Sequence, residues 1–122
     1  VNSGQLKEWY KMLKQHGCAI SGEKYPGLSE IHHVKGRKYK INKVLVGEIY
    51  AFALHKIYHN EMYCGEYERN TGIQVPNVTR NKSEFEAMFG SQKAIFKDVC
   101  EKIMLEHSLP FDVHLIELIL NE

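Results

Sequence analysis

Apolar residues first recur along the chain at helical spacing. Leu6, Trp9, Tyr10 and Leu13 stand at i, i+3, i+4 and i+7, which predicts an amphipathic helix over 4–15 with Ser3 as cap and Gly17 as stop. "CAISGEKYPG" carries turn residues, and "LSEIHHV" then alternates as a short strand should. Leu28, Glu30, His32 and Val34 share one face of that strand; Ser29, Ile31 and His33 share the other. "GRKYKIN" reads as loop, and the β-branched and aromatic run "VLVGEIYAFAL" as a second strand. A helix over about 54–61 follows, with His55 and His59 one turn apart on a common face. Residues 62–80 read as irregular around Gly65, Gly72 and Pro76.

Beyond Asn81 or Ser83, either of which can cap, a helix runs through Met88 and breaks at Gly90. Ser91 opens a longer one to about Glu106, with Ile95, Val99, Ile103 and Leu105 apolar, and "SLPFDVHLIELIL" restarts after Pro110 as a strongly apolar last helix. The pattern predicts one α+β domain over 1–122. A strand–loop–strand–helix core at about 18–61 lies between an N-terminal helix and a helical part at about 81–121. The last helix also suits a homodimer interface.

Composition adds bounds to this picture. The chain of 122 residues is 43% hydrophobic, enough for a core, and no run approaches the roughly 20 apolar residues of a membrane helix. The first residues lack the apolar centre of a secretory signal, so a soluble cytoplasmic protein with no membrane partner is expected. Cys18, Cys64 and Cys100 are odd in number and widely spaced, which predicts free thiols rather than a disulfide framework. Residues 1–61 hold ten Lys or Arg against five Asp or Glu, and residues 62–122 six against ten, so +5 and −4 lie hidden in a net charge of +1. Lys35, Arg37, Lys38, Lys40 and Lys43 crowd the loop after the first histidine pair. A solvated loop explains such a run, and so do contacts to nucleic-acid phosphates.

Four of the seven histidines fall between Ser29 and Asn60, adjacent at His32–His33 and four apart at His55 and His59. An i, i+4 pair on a helix can reach one cation, and one strand histidine can join it. Adjacent strand residues point oppositely, so one of His32 and His33 can complete the ligand set while the other is free to act as a general base towards substrate. Glu30, on the His32 face, can orient a ligand. A bland alternative makes the metal structural, with four imidazoles closing a tetrahedron. His16, His107 and His114 read as surface or packing residues. The glutamate of an H-E-x-x-H motif is absent, since Lys56 occupies its place.

The residues "EIHHVKGR…LHKIYHN" resemble the HNH (ββα-metal) endonuclease motif, and "SEFEAMFGSQKAIF" is similar to a downstream segment of phage HNH proteins of the RecA-dependent Ref type. Together these stretches cover roughly residues 18–97. The resemblance implies metal-dependent hydrolysis of DNA phosphodiester bonds in recombination or processing, in the host cytoplasm if phage-encoded. It implies His33 as general base, His32, His55 and His59 as ligands, and Glu30 as the acid before the pair. One divalent cation is implied, Mg²⁺ or Mn²⁺ for activity, with Zn²⁺ or Ni²⁺ able to occupy the site. DNA and a RecA-type filament are the implied partners, with Arg37 and Lys38 on phosphates. Two departures stand out. Cys18 has Ser21 where many relatives complete C-x-x-C, and Asn42 is the one candidate for the motif's middle Asn. Two other readings remain open: a DNA-binding or recombination-accessory module without catalysis, and a structural-zinc interaction domain.

Overall fold

A computed structural model describes all of residues 1–122. Helix α1, Ser3–His16, begins one residue earlier than the apolar pattern alone predicts, because Asn2 rather than Ser3 caps it. The Asn2 side chain accepts from the Gln5 amide while the Gln5 side chain accepts from the Asn2 amide. Strand β1, Ser29–His33, is where alternation places it. The loop after it holds an unforeseen small hairpin, β2 at Lys40–Ile41 and β3 at Val44–Leu45. Asn42 and Lys43 form its turn with φ of 49° and 69°, the left-handed pair that a two-residue hairpin loop requires.

The run 44–54 is therefore not one strand. Residues 46–50 fold into a turn closed by Ile49 and Tyr50 amides on the Val46 carbonyl, and β4 then spans Ala51–His55. Gly47 explains the break. A Cβ there would lie 2.1 Å from the Gly36 oxygen and 2.7 Å from the Tyr39 nitrogen, so this segment packs backbone to backbone against the basic loop. β1 and β4 pair antiparallel with Ser29 opposite His55, His32 opposite Phe52 and His33 opposite Ala51.

The expected helix over 54–61 also differs. His55 completes β4, α2 is only Lys56–His59, and Asn60 caps a new helix α3 over Glu61–Thr71. Its one buried residue, Cys64, leaves no apolar stripe to read, which is why this helix looks irregular in sequence. Helices α4 (Lys82–Phe89), α5 (Gln92–Glu106, capped by Ser91) and α6 (His114–Leu120) complete the chain. It is an α+β fold with six helices and two small antiparallel sheets. No helix is long and apolar enough to cross a membrane.

One core unites these elements. Trp9 is fully buried, meets Phe111 edge-on with ring centres 5.1 Å apart, and donates to the Ile49 carbonyl at 3.0 Å. Phe52, Leu54, Phe85, Phe96, Ile116 and Ile119 belong to the same cluster, so the apolar side of α6 turns into the chain's own interior. All three cysteines are buried free thiols.

Candidate functional site

The antiparallel register decides which histidines meet. His32 projects from the β1 face shared with Glu30, and His33 from the opposite face shared with Ser29 and Ile31. On the His32 side, the His59 ring lies 5.1 Å away, centre to centre. Glu30 accepts from His59 Nδ1 at 2.9 Å, and Gln92 Oε1 stands 2.6 Å from His32 Nε2. A carboxylate and an amide oxygen only accept, so each ring donates its N–H there. The lone pairs then remain on His59 Nε2 and His32 Nδ1. Burial is the largest effect on His32 and, with the nearby His59 and His33, drives its pKa down to about 4 against the opposing Gln92 bond; the ring is neutral at pH 7.

Several backbone groups fix this cluster. Asn77, fully buried, donates to the Ile57 and Asn60 carbonyls at 3.1 and 3.3 Å and accepts from the Thr79 and Arg80 amides at 3.0 Å each. Thr79 adds a 2.7 Å bond to the His59 carbonyl. These contacts clamp the α2–α3 junction and so aim His59. Gln92 is aimed by the start of α5. Gly90 turns the chain at φ 97° and Ser91 accepts from the Ala94 amide.

On the other face, His33 Nε2 lies 3.0 Å from the Tyr10 hydroxyl, which donates its one proton to the Glu48 carbonyl at 2.7 Å. The hydroxyl oxygen must then accept from His33, which puts the ring proton on Nε2 and leaves Nδ1 as a free acceptor. Burial, chiefly, and the neighbouring Arg37 hold the His33 pKa below its ordinary value, while Glu48 opposes them. The successive side chains Trp9 and Tyr10 thus read the successive carbonyls of Ile49 and Glu48.

Two expected placements are corrected. His55 does not share a helical face with His59. It ends β4 opposite Ser29, accepts from the Ile57 amide through Nδ1 at 2.9 Å, and packs edge-on between Tyr25 and Tyr63. Asn42 forms an exposed hairpin turn and does not orient His33; the Tyr10–Glu48 relay does. Among the basic residues, Arg37 is near enough for its charge to act on both His33 and Tyr10. Lys35 lines a cleft with Gln92 and Tyr50. Lys38, Lys40 and Lys43 are exposed along the loop and hairpin.

No three His, Cys, Asp or Glu side chains converge as a ready cation centre. The donor chemistry nevertheless suits a two-imidazole seat. Rings sharing one ion at metal–nitrogen distances of about 2.0 Å have centres about 5 Å apart. Metal-binding imidazoles also usually donate their other N–H to a fixed acceptor, as both do here. A closed four-imidazole centre does not fit, because His33 and His55 face away from the pair.

Tyr10, Gln92 and the Glu48 carbonyl were not singled out by residue chemistry. Tyr10 reads as an apolar helix position, and a backbone carbonyl leaves no trace in a side-chain pattern. Gln92 alone had a signal, the Phe-Gly-x-Gln of "SEFEAMFGSQKAIF". The chain matches no family model, no curated protein and no solved structure.

Proposed function

We propose that this chain is a metal-dependent endonuclease of the HNH (ββα-metal) kind that hydrolyses DNA phosphodiester bonds. The observation that carries the reading is the division between two adjacent residues. His32 joins His59, while His33 is held by Tyr10 with Nδ1 left to accept a proton. In the proposed reaction His33 Nδ1 takes the proton of a water whose oxygen attacks phosphorus, and the ester P–O bond breaks with its electron pair going to the leaving sugar oxygen, which takes a proton from solvent water. Tyr10 and the Glu48 carbonyl keep the ring in the tautomer this step needs. Arg37, whose charge reaches His33, is placed to hold the phosphate. When bound at His32 and His59, a divalent cation supplies positive charge to the phosphate and its leaving oxygen. With only two protein imidazoles and otherwise water as ligands, Mg²⁺ or Mn²⁺ suits activity, and Zn²⁺ or Ni²⁺ can compete for the nitrogens.

Supercoiled plasmid incubated with the protein and Mg²⁺ or Mn²⁺ becomes nicked or linear. His33→Ala abolishes cutting while calorimetric Mn²⁺ binding is retained. Plasmid left intact with Mg²⁺, Mn²⁺, Zn²⁺ and Ni²⁺ alike refutes the reading. One observation favours a second reading, a DNA-binding accessory module without catalysis: His55 stands outside the cluster, so the site is one imidazole short of a three-nitrogen centre. Salt-sensitive DNA retention with no strand scission, with or without a RecA-type filament, selects that alternative.

A further inference from the structure

A second basic surface lies outside the loop 35–43. Lys7, Lys11 and Lys14 follow at i, i+4 and i+7 on α1 and form one stripe. Together with Lys24, Tyr25 and Ser29 they line an open groove of about 710 Å³ whose wall contains no carboxylate. All four lysines are exposed. None of them joins an ion pair, whereas Lys82, Lys97 and Lys102 are each paired within their own helices. Glu8, beside Lys7 on α1, is not part of the groove wall, and Glu23, beside Lys24, accepts from the Tyr25 hydroxyl at 3.2 Å. Ser29 Oγ is the one buried side-chain polar atom in the chain without a partner.

The stripe is continuous with the candidate site. Tyr10 is three residues from Lys7 and four from Lys14, next to the stripe on the helix surface, and it carries His33. Seven residues of helix rise about 10.5 Å. Along a duplex axis, where one strand's phosphates recur about every 3.4 Å, that length spans about three phosphates.

We propose that this groove binds the phosphate backbone of DNA and leads it along α1 to His33. The proposal rests on the DNA reading above and names the surface that supplies its affinity. Unpaired ammonium groups in a row, with no carboxylate lining the groove they share, match a polyanion of regular spacing. The same groups in a purely structural surface would be interspersed with carboxylates, as on α5.

The test is binding of a labelled 25-base-pair duplex by fluorescence anisotropy in EDTA, so that no strand is cut. Wild type is compared with K7Q/K11Q/K14Q/K24Q and with the charge-matched K82Q/K93Q/K97Q/K102Q. Each phosphate contact contributes about 0.9 to the slope of log affinity against log salt, so four contribute about 3.6, or about 150-fold between 50 and 200 mM. The groove variant is expected to lose about that slope, with an unchanged circular dichroism spectrum, and the control less than one. Equal losses in the two variants, or none in the groove variant, overturn the proposal. So does a groove variant that keeps DNA binding but loses binding to phosphatidylserine vesicles. Intact plasmid in the cutting assay with the slope difference present leaves the groove standing and refutes the nuclease. Normal cutting with no slope difference does the reverse.

Discussion

Stability of the metal-free protein should depend on pH through His32. The folded ring has a pKa of about 4, against an ordinary value of 6.5, chiefly because burial disfavours its charged form. As pH falls below about 6.5 the unfolded chain protonates this histidine, while the folded chain resists until about pH 4. The unfolded state therefore binds more protons throughout that window, and stability falls as pH falls through it. At 1.36 kcal/mol per pKa unit the full gap corresponds to about 3 kcal/mol; partial solvent access lowers this to about 2 kcal/mol. With an unfolding entropy of about 2.1 cal/mol/K per residue, that lowers Tm by about 8 °C. His33, whose pKa burial also lowers, adds its own pH dependence to the wild-type curve. The variant His32→Gln isolates the effect, because a glutamine can donate to Gln92 but does not titrate. Urea unfolding of both proteins in EDTA at half-unit steps from pH 7.5 to 3.5 measures the difference. The curves should converge as pH falls from 6.5 to 4 and run parallel above and below. Parallel curves across the whole range would refute a buried neutral His32.

Three other perturbations probe the supports of the site. Gly47→Ala forces a methyl against three backbone atoms that no rotamer change can move, and should cost about 3 kcal/mol in urea unfolding. Gly36→Ala, with open space but φ +82°, should cost only about 1 kcal/mol, and equal costs would contradict the packed backbone crossing. Asn77→Ala removes a bond from two carbonyls and two amides at a fully buried position, although the Asn60 carbonyl keeps the Cys64 amide, with an expected loss of about 3 kcal/mol. Tyr10→Phe removes the acceptor of the His33 proton, so nitrogen NMR should report a shift from the Nε2–H tautomer towards Nδ1–H, and cutting should fall at least about 10-fold. An unchanged tautomer would dissociate Tyr10 from His33.

The elements legible in sequence are those with a clear residue-type periodicity, which in the helices reflects burial on one side. Helix α1 and α5 present apolar stripes, and β1 alternates, so the pattern finds them within a residue or two. Where backbone contacts decide, the pattern misleads. The apolar run 44–54 has the composition of a single strand, but the Gly47 crossing and the left-handed pair Asn42–Lys43 divide it into a hairpin strand, a turn and β4. Both faces of β4 from Ala51 to Leu54 are buried, which removes the alternation that would have marked its true limits. Its C-terminal end at His55 consequently reads as helix in the sequence.

That misread boundary accounts for most of what differs at the site. A ligand pair at i, i+4 presumes that both residues are helical, and moving one of them onto the preceding strand turns its side chain by the strand's rule instead. His55 then follows Ser29 and His33 to the α1 side, away from His59. The adjacent pair survives the same change, because strand geometry separates neighbours wherever the strand ends. The two histidines on β1 are therefore the part of the chemistry that sequence could specify. Their partners, Gln92 at a distance of 60 residues and the Glu48 carbonyl reached through Tyr10, depend on how α5 and α1 pack against the hairpin. Local pattern has no access to such contacts. The same packing sets Tyr10, next to the lysine stripe of α1, against His33, so one helix both fixes this ring and carries the charge that the proposed reading would use to draw a phosphate to it.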